Sequence, residues 1–297
     1  MKGKDQQRSG ATYVLITPAR NEEAYIELTI QSMIAQTVPP VKWVIVSDGS
    51  TDRTGEIVKS YAERIPWIEF IRRPAQADRN FASKVYSFNA GYERVKDLEY
   101  DIIGNLDADL SFEKDMLEYL LDKFAQFPNL GVAGPPFYEV PNRQYNYRYS
   151  NVEHVTGMLQ LFRRECFEAI GGYTPIKGGG IDWVAVTAAR MKGWKTRTFT
   201  EKYLLHHRPM GTGGGNIFSA RYRIGKEDYY LGSHPLWEFL RACYHIKDKP
   251  YVLGGILVFL GYAAGFLQDT ERPIPEEMVD FYRKEQMARL WKLFRGS

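Results

Sequence analysis

The sequence predicts an α/β fold, a mainly parallel sheet flanked by helices. Two observations carry this. From residue 13 onward, short apolar runs alternate with stretches that are apolar on one helical face, and acidic loops recur where the runs end. Strands that alternate with helices build right-handed βαβ units, and these assemble into a parallel sheet.

The first strand is Tyr13-Val-Leu-Ile-Thr17, bounded by Pro18. A helix follows over residues 25–35, with Ile26, Ile30, Met33 and Ile34 near one face. Pro39-Pro40 breaks the chain before a second buried strand, Trp43-Val-Ile-Val-Ser47. Asp48-Gly-Ser-Thr-Asp52 then makes a turn and caps a helix through Ile57 and Tyr61. The rhythm continues as a strand at 68–71, a helix at 81–95 and a strand at 100–105, which delivers Asp107 and Asp109 onto a loop. A helix at 117–124, a strand opening at Val132-Ala133 and a strand spanning 198–205 complete the expected sheet. Ligands of open α/β sheets bind outside the carboxyl ends of strands, so Asp48 and the Asp107/Asp109 pair share one edge.

Length and composition bound the answer without choosing it. At 297 residues, the chain has room for one large α/β domain or two small ones. With 44% hydrophobic and 25% charged residues it reads as globular. A formal charge of +3 makes no electrostatic case for nucleic acid as a partner. Cys166 and Cys243 form no Cys-x-x-Cys pair, which argues against a disulfide framework or zinc and for a reducing compartment. Residues 1–10 are polar, so a flexible tail without a secretory signal is the expectation.

Three loops carry chemistry. Asn105-Leu-Asp-Ala-Asp109 sets two carboxylates after a buried run; hard cations such as Mg²⁺ or Mn²⁺ take carboxylate oxygens and leave positions open for a diphosphate. An isolated Asp-x-Asp is also a common solvated turn. Asp48 either accepts a hydrogen bond from a nucleotide base or helps cap the next helix. Pro18, Ala19, Asn21 and Glu22, from Pro18-Ala-Arg-Asn-Glu22, either line the base and ribose pocket or start the first helix.

In order and spacing these three motifs resemble the family 2 glycosyltransferases of the GT-A fold, a Rossmann-like arrangement for nucleotide-diphospho-sugars, over residues 11 to 205. The resemblance implies that Asp48 contacts a uracil-like base, that Asp107 and Asp109 serve ribose, metal and diphosphate, and that Asp109 is the firmest ligand of Mn²⁺ or Mg²⁺. Inverting members carry a late carboxylate that deprotonates the acceptor. The matching place is Gly178-Gly-Gly-Ile-Asp182-Trp183. The family usually shows two acids there; Ile181 replaces the first, which leaves Asp182 as the candidate base, or as an N-cap only. The upstream stretch 155–173, next to His154 and including Gln160, resembles the family's acceptor floor. A histidine placed like His206 or His207 can join the metal or diphosphate, and His206 is taken as the ligand. Gly211 to Asn216 has the freedom of a lid over the donor. Arg221 and Arg223 would meet the diphosphate, or form a membrane-facing basic patch. The Gln-x-x-Arg-Trp signature of processive members is missing, so a single addition is expected.

Beyond the motifs, residues 250–267 are eighteen positions without a charge, just within the roughly 17–25 of a transmembrane helix. A re-entrant segment or a buried core helix are the alternatives. Gly261-x-x-x-Gly265 would let two helices approach closely, which allows a homodimer through the C-terminal segment. Lys247 and Lys249 on one side and Arg272, Arg283 and Lys284 on the other leave orientation open. Residues 276–294 read as an amphipathic helix on a surface. The expected division is a tail at 1–10, a GT-A domain at 11–215, a basic and aromatic interfacial region at 216–249, the apolar segment at 250–267 and an amphipathic helix at 274–297.

The expected activity is metal-dependent, inverting transfer of one sugar from a nucleotide-sugar donor, UDP-linked, to a hydroxyl or phosphate of a lipid-linked or glycan acceptor. Its expected place is the cytoplasmic face of the cell membrane, on the membrane surface. A nucleotidyltransferase is the rival enzyme, but no glycine-rich basic signature follows the first strand. A noncatalytic scaffold for nucleotide or membrane is the rival of another class; the presence of Asp48, Asp107, Asp109 and Asp182 together argues against it.

Overall fold

The computed structural model describes residues 10–74, 81–139, 143–144, 151–208, 217–244, 251–268 and 270–295. The chain divides into two compact units, Met1–Lys177 with Ile181–Pro209, and Gly178–Gly180 with Met210–Ser297.

In the first unit, β1 (Tyr13–Ala19), α1 (Ile26–Ile34), β2 (Lys42–Asp48), α2 (Thr54–Ala62), β3 (Ile68–Arg73), α3 (Ala82–Tyr92) and β4 (Ile102–Leu106) alternate along the chain. They are followed by β5 (Leu110–Ser111), α4 (Met116–Gln126), β6 (Leu130–Gly134), β7 (Phe137–Glu139), β8 (Arg143–Gln144), β9 (Leu159–Arg163), α5 (Arg164–Ala169), α6 (Ile181–Met191), β10 (Lys195–Thr198) and β11 (Leu204–His206). Seven strands form the main sheet in the order β10-β6-β9-β4-β1-β2-β3. Its pairs are parallel except where β9 runs against β4 and β6. This is the expected mainly parallel α/β sheet.

Its strands read as unbroken apolar runs because both faces are covered. Tyr13, Leu15, Trp43, Ile45 and Ile102 point into one core, and Val14, Ile16, Val44, Val46 and Ile103 into the other. The two largest buried rings keep their polar atoms satisfied: Trp43 Nε1 donates to Thr17 Oγ1 at 2.9 Å, and Tyr13 Oη to the Val38 carbonyl at 2.7 Å. A lost partner there would cost about 1–3 kcal/mol.

The expected strand at 198–205 is instead two. β10 ends at Thr198 in the main sheet, and β11 begins at Leu204 in a small sheet ordered β5-β11-β7-β8. Between them Glu201 and Lys202 turn outward to Tyr119, Lys123, Glu113 and Asp115, so polar side chains break what the flanking apolar residues suggested.

The second unit is helical: α7 (Ile217–Tyr230), α8 (Pro235–Tyr244), α9 (Leu253–Leu267) and α10 (Glu276–Arg295). α9 corrects the reading of 250–267 as a membrane span. It holds 15 residues, about 22 Å at 1.5 Å per residue against a hydrocarbon core of about 30 Å. Among the described residues, no helix is long and apolar enough to cross a membrane. The glycines also find another use. A Cβ at Gly261 would overlap the Tyr222 carbonyl of α7, one at Gly225 would overlap the Val258 carbonyl of α9, and Gly265 lies against the Tyr229 ring. The small-residue face that allowed a homodimer is filled by α7 of the same chain, so it is not open to a second copy.

Polar groups join the four helices. Arg241 of α8 pairs with Asp228 of α7 at 2.5 Å and with Glu238 at 3.7 Å. Gln286 of α10 donates to Ser233 Oγ and accepts from the His234 amide, while Tyr262 of α9 donates to the Ser233 carbonyl. Glu238 is fully buried; burial first, then the charge of Asp228, push its carboxyl up to about 7. A carboxyl raised in the folded state holds its proton more tightly there than in the unfolded chain. The helical unit therefore loses stability as pH rises from about 4.5 through about 7. Denaturant midpoints at pH 5 and pH 8 check this: the wild type is expected to drop at pH 8, and Glu238→Gln to flatten the difference.

Candidate active site

The carboxyl ends of β1, β2 and β4 meet at one cleft. It is lined by Pro18, Ala19, Arg20, Glu22, Asp48, Ser83, Lys84, Ser87, Asp107, Ala108 and Asp109. Six of the residues picked from sequence for the donor or metal are in that lining: Pro18, Ala19, Glu22, Asp48, Asp107 and Asp109.

Asn21 is not among them. Its backbone is left-handed at φ 56°, a conformation Asn tolerates better than most residues, and its Oδ1 accepts the Thr51 amide at 2.9 Å. The Asn21 amide donates to Ser50 Oγ, the Glu22 amide to Thr54 Oγ1 and the Glu23 amide to Asp52 Oδ2. These bonds fasten the loop after β1 to the loop after β2. Asn21 thus helps fix the shape of the cleft wall.

Asp48 is buried and held at 3.2 Å by Arg73 Nη1, which also donates to Ser87, with Arg20 at 4.0 Å on the other oxygen. Asp107 accepts from Lys84 Nζ at 2.5 Å and from Asn105 Nδ2 at 2.9 Å, both on Oδ1. Burial works against the Lys84 ammonium, but the Asp107 charge outweighs it and leaves its pKa raised. Lys84 went unnoticed in the sequence because it sits inside α3, outside any loop motif.

Asp109 finds its partners through the small sheet. β5 starts one residue after it and pairs antiparallel with β11, setting His206 opposite Leu110. His206 Nε2 comes to 3.3 Å from Asp109 Oδ2, and Arg208 Nε to 3.6 Å from the same oxygen. Burial would raise the Asp109 carboxyl, but His206, Arg208 and Lys84 outweigh it and hold it below the usual range. Burial would likewise lower His206, yet the bond to Asp109 leaves it raised. His207 turns away, to Ser111 Oγ at 2.8 Å and against the Tyr25 ring. Arg208 also pairs with Glu22. Burial, then the charges of Asp109 and Asp107, push Glu22 up to about 7.

The donor set fits a divalent cation that substrate oxygens complete. Asp109 Oδ2 and His206 Nε2 offer a hard oxygen and an imidazole nitrogen side by side, 3.3 Å apart. Among the described residues no three His, Cys, Asp or Glu side chains gather as a metal-holding group. The trio Asp107, Asp109 and His206 is therefore not a closed cage: Lys84 and Asn105 draw the Asp107 carboxylate to themselves.

Asp182 opens α6 and is partly exposed. Its Oδ2 accepts the Gly157 amide and its Oδ1 the Trp183 amide, each at 2.9 Å. His154 Nε2 faces Oδ2 at 3.9 Å, and burial lowers the His154 pKa. A Cβ at Gly157 would press on Asp182 Cβ at 3.1 Å, so a glycine permits this approach. Asn105 Nδ2 donates to the Gly157 carbonyl as well as to Asp107. Gln160, buried on β9, bonds Val155 and Tyr173 and acts as a strut of the same floor.

Two readings are left unplaced. Residues 211–216, expected as a lid, lie outside the described residues. Arg221 and Arg223 lie on α7 of the helical unit.

Comparison with known proteins agrees with this architecture. The sequence profile of glycosyl transferase family 2 matches residues 14–182. A curated relative, the beta-monoglucosyldiacylglycerol synthase of Synechocystis sp., is 27% identical over 190 residues, covering 63% of this chain and 38% of that protein. The chain thus spans little more than a third of that relative's length. Among solved structures, the mannosyltransferase PcManGT of Pyrobaculum calidifontis, in complex with GDP-Man and Mn²⁺, superposes with a TM-score of 0.57 at 17% identity, over 96% of this chain and 82% of that one. Residues 1–349 of S. aureus TarS, in complex with UDP-GlcNAc, give a TM-score of 0.56 at 12% identity, over 94% and 92%. The profile spans more than half of the chain and runs from the first strand to Asp182, and on that match the chain belongs to glycosyl transferase family 2.

Proposed function

We propose that this protein transfers one sugar, with inversion, from a nucleotide-diphosphate sugar to a hydroxyl or phosphate of a lipid-linked or glycan acceptor. The observation that carries the reading is a hydrogen-bonded line: Asp182 accepts from Gly157, whose carbonyl accepts from Asn105, which also holds Asp107 beside Lys84 and Asp109. A base for the acceptor and a charged cradle for the donor are thereby held in one frame.

In this reading Asp48 accepts from the donor base, a uracil-like one. The Asp182 carboxylate takes the acceptor proton as the acceptor oxygen attacks the anomeric carbon from the face opposite the nucleotide. Attack from that face inverts the configuration. Lys84 and Arg208 lie where cationic groups would stabilise the leaving diphosphate. A divalent cation, Mn²⁺ or Mg²⁺, held by Asp109 and His206, would neutralise charge that develops on the same diphosphate. The relatives support the choice of ligands: PcManGT was solved with GDP-Man and Mn²⁺, TarS with UDP-GlcNAc, and the Synechocystis relative is named for a glycolipid product. Work on the cytoplasmic side of a membrane surface, where nucleotide sugars meet lipid acceptors, completes the proposal.

The test is nucleoside diphosphate release from a panel of UDP- and GDP-sugars with Mn²⁺, with and without a lipid extract as acceptor. Release from one donor that rises with acceptor is the expected result. Pyrophosphate release instead would point to nucleotidyl transfer, and no turnover of any donor would reject the transferase reading.

A further inference from the structure

Helix α9 is built inside out. Its inward face is mostly glycine, with Gly254, Gly255, Gly261 and Gly265 buried beside Val258 and Tyr262. Its outward face carries the large apolar side chains: Leu253, Ile256, Leu260 and Leu267 recur at helical spacing, with Ile256 46% and Leu267 81% exposed. No charged residue interrupts the helix. Phe239 of α8, also exposed, extends the face by meeting the Phe259 ring at 6.1 Å. A water-facing helix would show the opposite arrangement, and patches of this kind mark an interaction surface.

We propose that this outer face of α9, with Phe239, is a membrane-docking surface that lies in the plane of an anionic lipid layer. Three observations choose that occupant. The helix is too short to span, so its apolar face meets lipid only by lying flat, buried about 5–10 Å at the headgroup boundary. Tyr244 and Tyr251, both exposed, lie in sequence between Phe239 and the apolar face of α9, and aromatic residues with a polar tip favour such boundaries. Basic residues stand beside it: α7, which packs on α9, carries Arg221, Arg223 and Lys226, and Lys226 Nζ donates to Gln268 at the end of α9 at 3.3 Å. Basic residues beside an apolar face complement anionic lipid. The inference rests on the membrane-surface part of the proposed function and names the face responsible; it does not depend on the sugar transferred.

Flotation of the full chain with phosphatidylcholine vesicles, with and without phosphatidylglycerol, tests it. The wild type is expected to float with the anionic vesicles, and Ile256→Glu/Leu260→Glu to lower partitioning roughly tenfold or more. Both side chains are exposed, so the thermal midpoint should hold, and Leu28→Glu, at an exposed leucine of α1, should float as the wild type does. If the wild type binds no vesicle, membrane association itself fails. If it binds and the double variant binds equally, this face is the wrong one. A solution dimer that the double variant dissolves, without vesicle binding, would assign the face to a second copy and overturn the proposal.

Discussion

Asp182→Asn is expected to lower turnover about 10³-fold while leaving the KM for the donor nearly unchanged, since general-base catalysis contributes roughly 10²–10⁴. The asymmetry follows from where Asp182 stands. Its carboxylate meets the Gly157 and Trp183 amides and the edge of His154, and among the described residues it forms no ion pair with a lysine or arginine. The two amides fix the carboxylate's orientation, and His154, disfavoured as a cation by its burial, does not hold it as an imidazolium partner would. The amide replacement also turns one acceptor into a donor, so one of the two backbone N–H groups loses its partner, at a cost of about 1–3 kcal/mol. A thermal midpoint and a donor-binding titration therefore accompany the kinetics. Turnover within a few-fold of wild type would leave Asp182 as a first-turn residue of α6 that fastens Gly157 and nothing more.

The acidic residues were legible from sequence, and of their cationic partners only His206 was, through the family resemblance, for one physical reason. Asp48, Asp107 and Asp109 follow apolar runs that can only be strands, and the strand-end rule places them at one edge without further information. Lys84 looks like any solvated residue of a helix until α3 packs on the sheet. His206 and Arg208 reach Asp109 only because β11 pairs with β5, a register set by two short strands that no apolar periodicity announces. The same limit explains the misreading of 198–205 as one strand. It also explains 250–267: an uncharged stretch reads as a span because hydropathy counts apolar residues without asking which face they occupy. The glycines there, read as a contact between two copies, turn out to seat α7 against α9. Asn21 is the converse case, a motif residue whose Oδ1 helps hold two loops together.

Asp109→Asn is expected to abolish the thermal stabilisation that a donor gives with Mn²⁺ and to cut turnover about 10³-fold, the equivalent of several kcal/mol of charge stabilisation. The same substitution at Asp107 should cost less. The Asp107 carboxylate already serves Lys84 and Asn105, so its loss frees an ammonium that can still meet the diphosphate. Asp109 has no such substitute, because His206 and Arg208 both converge on its Oδ2. Asp109→Asn and His206→Ala should therefore be strongly non-additive, the double variant losing little beyond the first, as expected of groups that act as a unit. An electrostatic readout separates this from simple misfolding. Asp109 is one of the charges that raise the Glu22 carboxyl, so removing it should move that group down from about 7 in the unliganded protein, observable by NMR titration. A variant that keeps the full metal requirement and donor affinity, with the Glu22 titration shifted as expected, would show that Asp109 tunes the cleft's charge while the cation sits elsewhere.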